Sequence, residues 1–416
     1  MFLFILYYFF SPFIFLSLVI FSIFNKKIRI LLFNQKKSLL NISSKLNSNK
    51  KKIIIHAASA GEYEQIKPLL KIIDRDIYFI IVSCMSPTVF KSIKDDGLSD
   101  LSCYHPFDFP WSAKYFFKTI SPSIYITTRH DVWPIHLYSA QNNNIKTIII
   151  NANLYSKSNR LKWYALRFSK YTFNMFDLII VPTKRIKSIF KNSLQIDNVE
   201  IISDTRFDQV LNRKAESSTL SKFEDFGRNN IIFGSVSSKD LEIISSTLTN
   251  DFSRSIKENI IIVPHEVDVK LIQKIEDICK GTNFFNKVQK LSNLEDISDC
   301  KVIIVDKVGI LPELYRYSKF AYIGGGFGAG VHSTIEPLVY NNIVCYGPNI
   351  DLLDEAKEMQ EEECGFIVNN GFEFYNKYLE FKDLNKTKNI KKSITKYLQH
   401  KEYSSEKIYK VIKRYA

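Results

Sequence analysis

The stretch IIIHAASAGEYEQ, residues 53–65, reads as a strand that enters a helix through a turn of small residues. Three consecutive isoleucines suit a strand buried on both faces, the signature of a parallel sheet. Ala57, Ala58, Ser59, Ala60 and Gly61 then allow the backbone to come close to a ligand. Glu62 follows in the first helical turn, where the dipole and the free N–H groups favour its ionised form. A carboxylate so placed serves as a general base or caps its own helix, and its position alone leaves both readings open.

The same pattern extends outward. KIIIHA, YFIIVSC, SIYITT, KTIIINAN, LIIVPT and VEIISD are apolar runs bounded by turn residues, and helical stretches such as WSAKYFFKTI and RLKWYALRFSKYTFNMF lie between them. Residues 51–208 are therefore expected to form one α/β domain with a parallel sheet. The polar segment 209–229 reads as a linker. A second alternation, NIIFGS, NIIIVPHE, KVIIVD, FAYIGGG, IVCYGP and GFIV, predicts a second α/β domain over 230–385. Two Rossmann-like domains in tandem would present the carboxyl ends of their strands, where ligands bind, to a shared cleft. Residues 386–416 read as basic amphipathic helices.

The other end of the chain is unlike the rest. Its first 24 residues carry no charge, enough as a helix to cross about 30 Å of hydrocarbon. Basic residues follow this run instead of preceding it and no A-x-A site appears, which argues for a retained anchor over a cleaved signal. Residues 1–25 are thus expected to be a membrane anchor, spanning the bilayer or lying in its plane, and 26–50 a basic juxtamembrane linker. Nine Lys or Arg between 26 and 52 supply much of the net +14, and no Asp or Glu precedes Glu62. A face held against anionic lipid accounts for that asymmetry, and the positive-inside bias places the body in the cytoplasm. No basic helix interleaved with aromatics points to nucleic acid. The six cysteines are scattered, as reduced core thiols are, and the seven histidines show no metal-ligand spacing, so no metal site is expected.

YIGGGFGAGVHSTIEP, residues 322–337, is the strongest local signal. A strand enters a run containing Gly324, Gly325, Gly326, Gly328 and Gly330, and a helix is expected near Ser333, so that the backbone N–H groups of the glycines and of the helix N-terminus can hold a phosphate. Glu336 would accept from ribose hydroxyls, and His332 either donates to a phosphate or packs in the turn. It is neither a Walker loop nor a dinucleotide fingerprint opening a first βαβ unit. GSVSSKD (234–240) offers Ser235, Ser237 and Ser238 as caps or phosphate donors, and VPHE (263–266) offers Pro264 and His265. In the first domain RHDVWP (129–134) supplies Arg129 and the candidate acid Asp131, and DTRFD (204–208) supplies Arg206.

Taken together, HAASAGE, DVWP, NANLYSKS, DTRFD, GSVSSKD, VPHE, GGGFGAGVHSTIEP and YGPNIDLLDEA resemble, in order and spacing, the 3-deoxy-D-manno-octulosonic acid (Kdo) transferases of lipopolysaccharide synthesis. The resemblance runs from the anchor to about Val368. It implies a GT-B fold, an N-terminal anchor in the bacterial inner membrane, CMP-Kdo as donor and the lipid A precursor as acceptor, with no cofactor. It implies further that Glu62 is the catalytic base, with Ser59 and Gly61 in the same turn; Asp131 is the second catalytic candidate, and Ser59, Gly61, Arg129 and Arg206 are expected on the acceptor side. Ser235, Ser237, Pro264, His265, Gly325, Gly326, His332, Ser333 and Glu336 fall on the donor side. The chain departs from the family pattern at Arg129 and Asp131, where many members have two Glu before the Trp-Pro pair, and at Asn153, where they have Arg. A membrane GT-B enzyme using a nucleoside-diphosphate sugar, and a non-catalytic protein that binds anionic lipid surfaces, are the alternatives.

Overall fold

A computed structural model describes residues 2–43, 45–46, 49–216, 220–224, 226–248, 256–282, 287–294, 297 and 300–416. The chain divides into two compact units, one of residues 1–209 with 403–416 and one of residues 210–402.

The first unit is built on seven parallel strands: β1 (Lys51–His56), β2 (Tyr78–Cys84), β3 (Leu101–Tyr104), β4 (Ile124–Thr128), β5 (Lys146–Ile150), β6 (Leu178–Val181) and β7 (Val199–Ile201). Their spatial order is β3-β2-β1-β4-β5-β6-β7. The central strands lie between two layers of helices, so Ile53, Ile54 and Ile55 of β1 are fully buried on both faces. That is the reason for the continuous β-branched runs. The strand order reverses between β1 and β4, and such a switch point opens a ligand crevice at the carboxyl ends of the two strands.

The second unit repeats the plan with β8 (Asn230–Val236), β9 (Ile260–Pro264), β10 (Val288–Lys290), β11 (Val302–Ile304), β12 (Ser318–Ile323), β13 (Ile343–Tyr346) and β14 (Gly365–Ile367). The order is β10-β11-β9-β8-β12-β13-β14, again all parallel, with its switch point between β8 and β12.

Several segments differ from the expected layout. Most of the basic stretch after the anchor is helical, Lys26–Ser43, because Leu39 and Ile42 find a buried face against the β2–β3 edge. Its Gln35 donates to the carbonyl of His105 at 3.0 Å, and its Ser38 hydroxyl accepts from the Tyr104 N–H at 3.2 Å. Much of the expected linker is also helical, as Arg206–Glu216 and Ser221–Glu224. The terminal helix Ser404–Tyr415 rejoins the first unit, placing Ile408, Val411 and Ile412 in the core with Ile53 and Ile55.

The apolar helix Phe2–Phe24 has 23 residues, long enough to cross a membrane. Phe4 packs against Tyr138 and Tyr171, and Phe15 against Phe109 and Trp111, while Phe9, Phe13 and Phe24 are exposed. All six cysteines are buried and unbridged.

Candidate functional site

In the first unit the switch point gathers most of the predicted residues. Glu62 enters from the helix Ala60–Ile72 that follows β1, and Arg129 and Asp131 from the turn after β4. Ser59 caps that helix: its hydroxyl accepts from the Glu62 N–H at 3.3 Å, and Glu62 Oε2 accepts from the Ser59 N–H at 3.0 Å. Glu62 is therefore a cap in fact, and it is 8% exposed. The cap engages one carboxylate oxygen, and a carboxylate has a second with which to take a proton. Gly61 is exposed in the first turn, with open space around its Cα.

Asp131 stands in a different environment. Burial and the nearby charge of Glu62 push its carboxyl up to about 7, opposed by Arg160 and a hydrogen bond from the Ala58 backbone. Its Oδ2 lies 3.5 Å from His56 Nε2. His56 Nδ1 meets the Ser83 carbonyl at 3.1 Å, which fixes that nitrogen as the N–H and leaves Nε2 as the acceptor. Burial drives His56 down to about 3, so the proton belongs on Asp131 and not on the imidazole. Asp131 is thus suited to donate a hydrogen bond at neutral pH.

The stability consequence has a definite sign. The unfolded Asp131 loses its proton near 3.8 and the native one near 7, so native stability falls as pH rises through that window and stays low above it. Asp131→Asn removes the burial penalty. Its melting temperature relative to the unsubstituted protein is expected to climb between pH 4 and 7 and level off above. The full gain is about 1–4 kcal/mol, and thermal unfolding at pH 5, 6, 7 and 8 measures it.

Arg129 holds a left-handed backbone, φ 51°, a strained conformation for a residue with a side chain, at the end of a switch-point strand. Arg206 binds Asp204 through Nε and Nη2, both at 3.1 Å, which gives it a structural partner within its own turn. That turn is fixed in place by Asn151, which donates to Thr205 Oγ1 at 2.9 Å, and by Thr205, which donates to the Gln65 carbonyl at 2.6 Å. Arg160 was not expected here. It reaches from the turn after Ser158 to donate to the His130 carbonyl at 2.7 Å, and its charge acts on Asp131. Beneath lies a buried run of imidazoles: His56 against His105 at 4.1 Å, His105 against His136 at 4.5 Å, and His136 on Asp108 at 2.7 Å. No local motif announces this cluster, whose members come from β1, the loop after β3 and the helix Pro134–Asn142.

In the second unit the switch point between β8 and β12 brings the glycine run beside GSVSSKD. Close packing makes the glycines necessary. A Cβ on Gly324 would lie 2.3 Å from the Ser235 carbonyl oxygen, and one on Gly326 would lie 2.6 Å from the Gly347 backbone. Gly325 takes φ +92°, which a side chain resists. Ser235 is itself left-handed at φ 54°, at the end of β8.

The residue that organises this loop is Asp240, fully buried and missed in the sequence, although S-x-x-D from Ser237 is a capping signal. It accepts from Tyr322 OH at 2.8 Å, from the Gly325 N–H at 3.0 Å, and from the Ser237 N–H and hydroxyl at 2.8 and 2.5 Å. Ser237 is accordingly a cap. His265 follows Pro264 at the end of β9, and its ring stacks on His332 at 4.0 Å and 14°. Burial and His265 lower the His332 imidazole, opposed by Asp240. The helix expected near Ser333 starts at Ile335, with Glu336 second in it and half-buried. Glu336 lies near enough to act on the buried Tyr315 hydroxyl beneath Gly234.

A family model for 3-deoxy-D-manno-octulosonic-acid transferases (kdotransferases) matches residues 33–209. A 3-deoxy-D-manno-octulosonic acid transferase of Aquifex aeolicus is 29% identical over 80% of this chain and 86% of its own length. One of Rickettsia felis is 25% identical over 77% of this chain and 69% of its own. These comparisons find the chain similar to Kdo transferases. Like its relatives it is a glycosyltransferase, and its two parallel-sheet units have the GT-B architecture. A glycosyltransferase from Rickettsia africae superposes with a TM-score of 0.60 at 14% identity, over 88% of this chain and 99% of that one. A UDP-GlcNAc 2-epimerase from Neisseria meningitidis, bound to UDP-GlcNAc, gives 0.63 at 12%, over 87% and 100%. At such identities these likenesses concern fold alone. The family model's match covers the switch point of Glu62 and Asp131, while the glycine loop lies beyond it.

Proposed function

We propose that this protein is a Kdo transferase that moves Kdo from CMP-Kdo to the lipid A precursor, with Glu62 as general base, at the inner membrane where helix Phe2–Phe24 anchors it. The observation that carries the reading is the pairing of Glu62 with Asp131 at one switch point, two carboxyl groups in environments suited to different tasks. An acceptor hydroxyl oxygen attacks the anomeric carbon of Kdo from the side opposite CMP, which inverts that centre. The bond from that carbon to the phosphate oxygen breaks, its electrons leave with CMP, and the hydroxyl proton passes to Glu62. Protonated Asp131 donates a hydrogen bond to the acceptor, and Arg129 and Arg160 suit its negative charges. The glycine loop, with Ser235, His265 and His332, receives CMP, whose leaving phosphate backbone N–H groups stabilise. No cofactor enters this reading, and cytoplasmic lysines of the Lys26–Ser43 helix favour the anionic membrane surface.

The test uses purified protein in detergent with CMP-Kdo generated in place and the lipid A precursor, the lipid product being weighed by mass spectrometry. A gain of one or more Kdo units is expected. No gain, under conditions where an established Kdo transferase yields product, rejects this reading and directs the assay to nucleoside-diphosphate sugars.

A further inference from the structure

The first unit holds an apolar cavity of about 650 Å³, walled by three segments: the helix Phe2–Phe24, the helix Lys26–Ser43 and the chain from Tyr104 to Tyr115. Its volume is that of an ordinary ligand pocket, ~300–1,000 Å³. Among the described residues none of the side chains that line it is charged. Its polar members are turned to the main chain. Ser22 donates to the Val19 carbonyl at 2.6 Å, Gln35 to that of His105 at 3.0 Å, and Ser112 to that of Phe107 at 2.6 Å. With those groups engaged, the surface left to a ligand is that of Phe15, Val19, Leu32, Phe107, Phe109 and Trp111, which favours a hydrocarbon.

The helix Phe2–Phe24 supplies a reason for a lipid to be there. It lies along the unit: Phe4 packs on Tyr138, the Tyr7 hydroxyl donates to Asp108 Oδ2 at 3.2 Å, Phe15 packs on Phe109, and Ser22 is buried. From Phe4 to Ser22 these contacts run about 27 Å at 1.5 Å per residue. Phe9, Phe13, Leu16 and Ile20 form the opposite, exposed face. An apolar face of that length belongs in hydrocarbon, so the cavity behind it stands at the level of the acyl chains. Phe33, Trp111 and Tyr115, exposed members of the lining, add aromatic rings of the kind found at membrane–water interfaces.

The wall also leads to the candidate site. Tyr104, Pro106 and Phe107 face the cavity, while His105 between them stacks on His56 at 4.1 Å, and His56 Nε2 lies 3.5 Å from Asp131 Oδ2. One short loop thus borders the cavity on one side and supports the Glu62–Asp131 switch point on the other.

We infer that this cavity takes an acyl chain of the lipid acceptor and so holds the acceptor's sugar at the switch point. The inference rests on the acceptor proposed above. Two measurements on the full-length protein in detergent test it, using Val19→Trp, which fills the cavity, and Ile20→Trp, which adds the same ring to the exposed face as a control.

In the first, palmitic acid carrying a diazirine is photolysed with the protein and labelled peptides are mapped by mass spectrometry. Saturable labelling of residues 104–115 is expected, suppressed by the lipid A precursor, at least tenfold lower in Val19→Trp and unchanged in Ile20→Trp. Labelling confined to the helix Phe2–Phe24, or equal in both variants, overturns the inference. Suppression by phosphatidylglycerol as strong as by the precursor overturns it as well, since the occupant would then be any membrane lipid. In the second, Val19→Trp is expected to raise the KM for the acylated precursor at least tenfold and to leave that for the O-deacylated precursor unchanged. Kdo transfer with both KM values unmoved, or both raised alike, rejects the cavity and leaves the proposed reaction standing. No transfer, with labelling that the precursor still suppresses, rejects the reaction and keeps the cavity.

Discussion

Glu62→Gln is expected to lose about 10²–10⁴ in turnover while melting within a degree or two of the unsubstituted protein. The reasoning rests on the two tasks the side chain has. As a cap, Glu62 accepts the Ser59 N–H through one oxygen, and a glutamine carbonyl does that equally well. As a base, it must take a proton from the acceptor hydroxyl, and an amide does not. Glu62→Ala removes both, so it should match the glutamine variant in turnover but unfold earlier, by about 1 kcal/mol for the lost cap. Rates of Kdo transfer beside thermal unfolding of the three proteins separate the tasks. A glutamine variant that keeps more than a tenth of the turnover would make Glu62 a cap and nothing more.

The central strands were legible because burial on both faces demands apolar side chains at every position. KIIIHA and SIYITT therefore announced β1 and β4 directly. Two edges, β7 and β14, were read from VEIISD and GFIV, and the other two were not legible. β3 is LSCY and β10 is VQK, each with one neighbouring strand and partly exposed side chains, so neither needs a β-branched run. The helix Lys26–Ser43 was hidden by its lysines, which suggested a linker, while its packing residues Leu39 and Ile42 come at its end.

The sites follow the same logic. Glu62, Arg129, Asp131, Ser235 and Gly325 stand at or just after strand ends, where local sequence marks them, and parallel topology then brings the right pairs of strand ends together. Arg160 and the column of His56, His105 and His136 depend on where distant segments meet. Single-sequence patterns carry no such information. Asp240 is intermediate: its spacing from Ser237 signals a cap, but its bonds to Tyr322 and Gly325 arise from the β8–β12 pairing.

Asp240→Asn is expected to raise the KM for CMP-Kdo at least tenfold, with a smaller effect on kcat, and to destabilise the protein by about 3 kcal/mol. Four donors converge on this carboxylate, and its two oxygens accept from all of them. An amide of the same shape has one oxygen, and it turns an NH₂ toward N–H and O–H groups that are themselves donors. At least one buried donor is then stranded, and the Gly325 N–H is among those affected, so the loop proposed to hold the CMP phosphate loses its fastening. Tyr322→Phe provides the control. It removes one donor and leaves the carboxylate to the other three, so it should cost about 1 kcal/mol and leave the donor KM near its original value. Should both variants destabilise while neither changes the donor KM, Asp240 would be a structural carboxylate of the core with no part in shaping the loop. A rise in KM confined to Asp240→Asn would tie the geometry of the glycine run to a residue that touches no substrate.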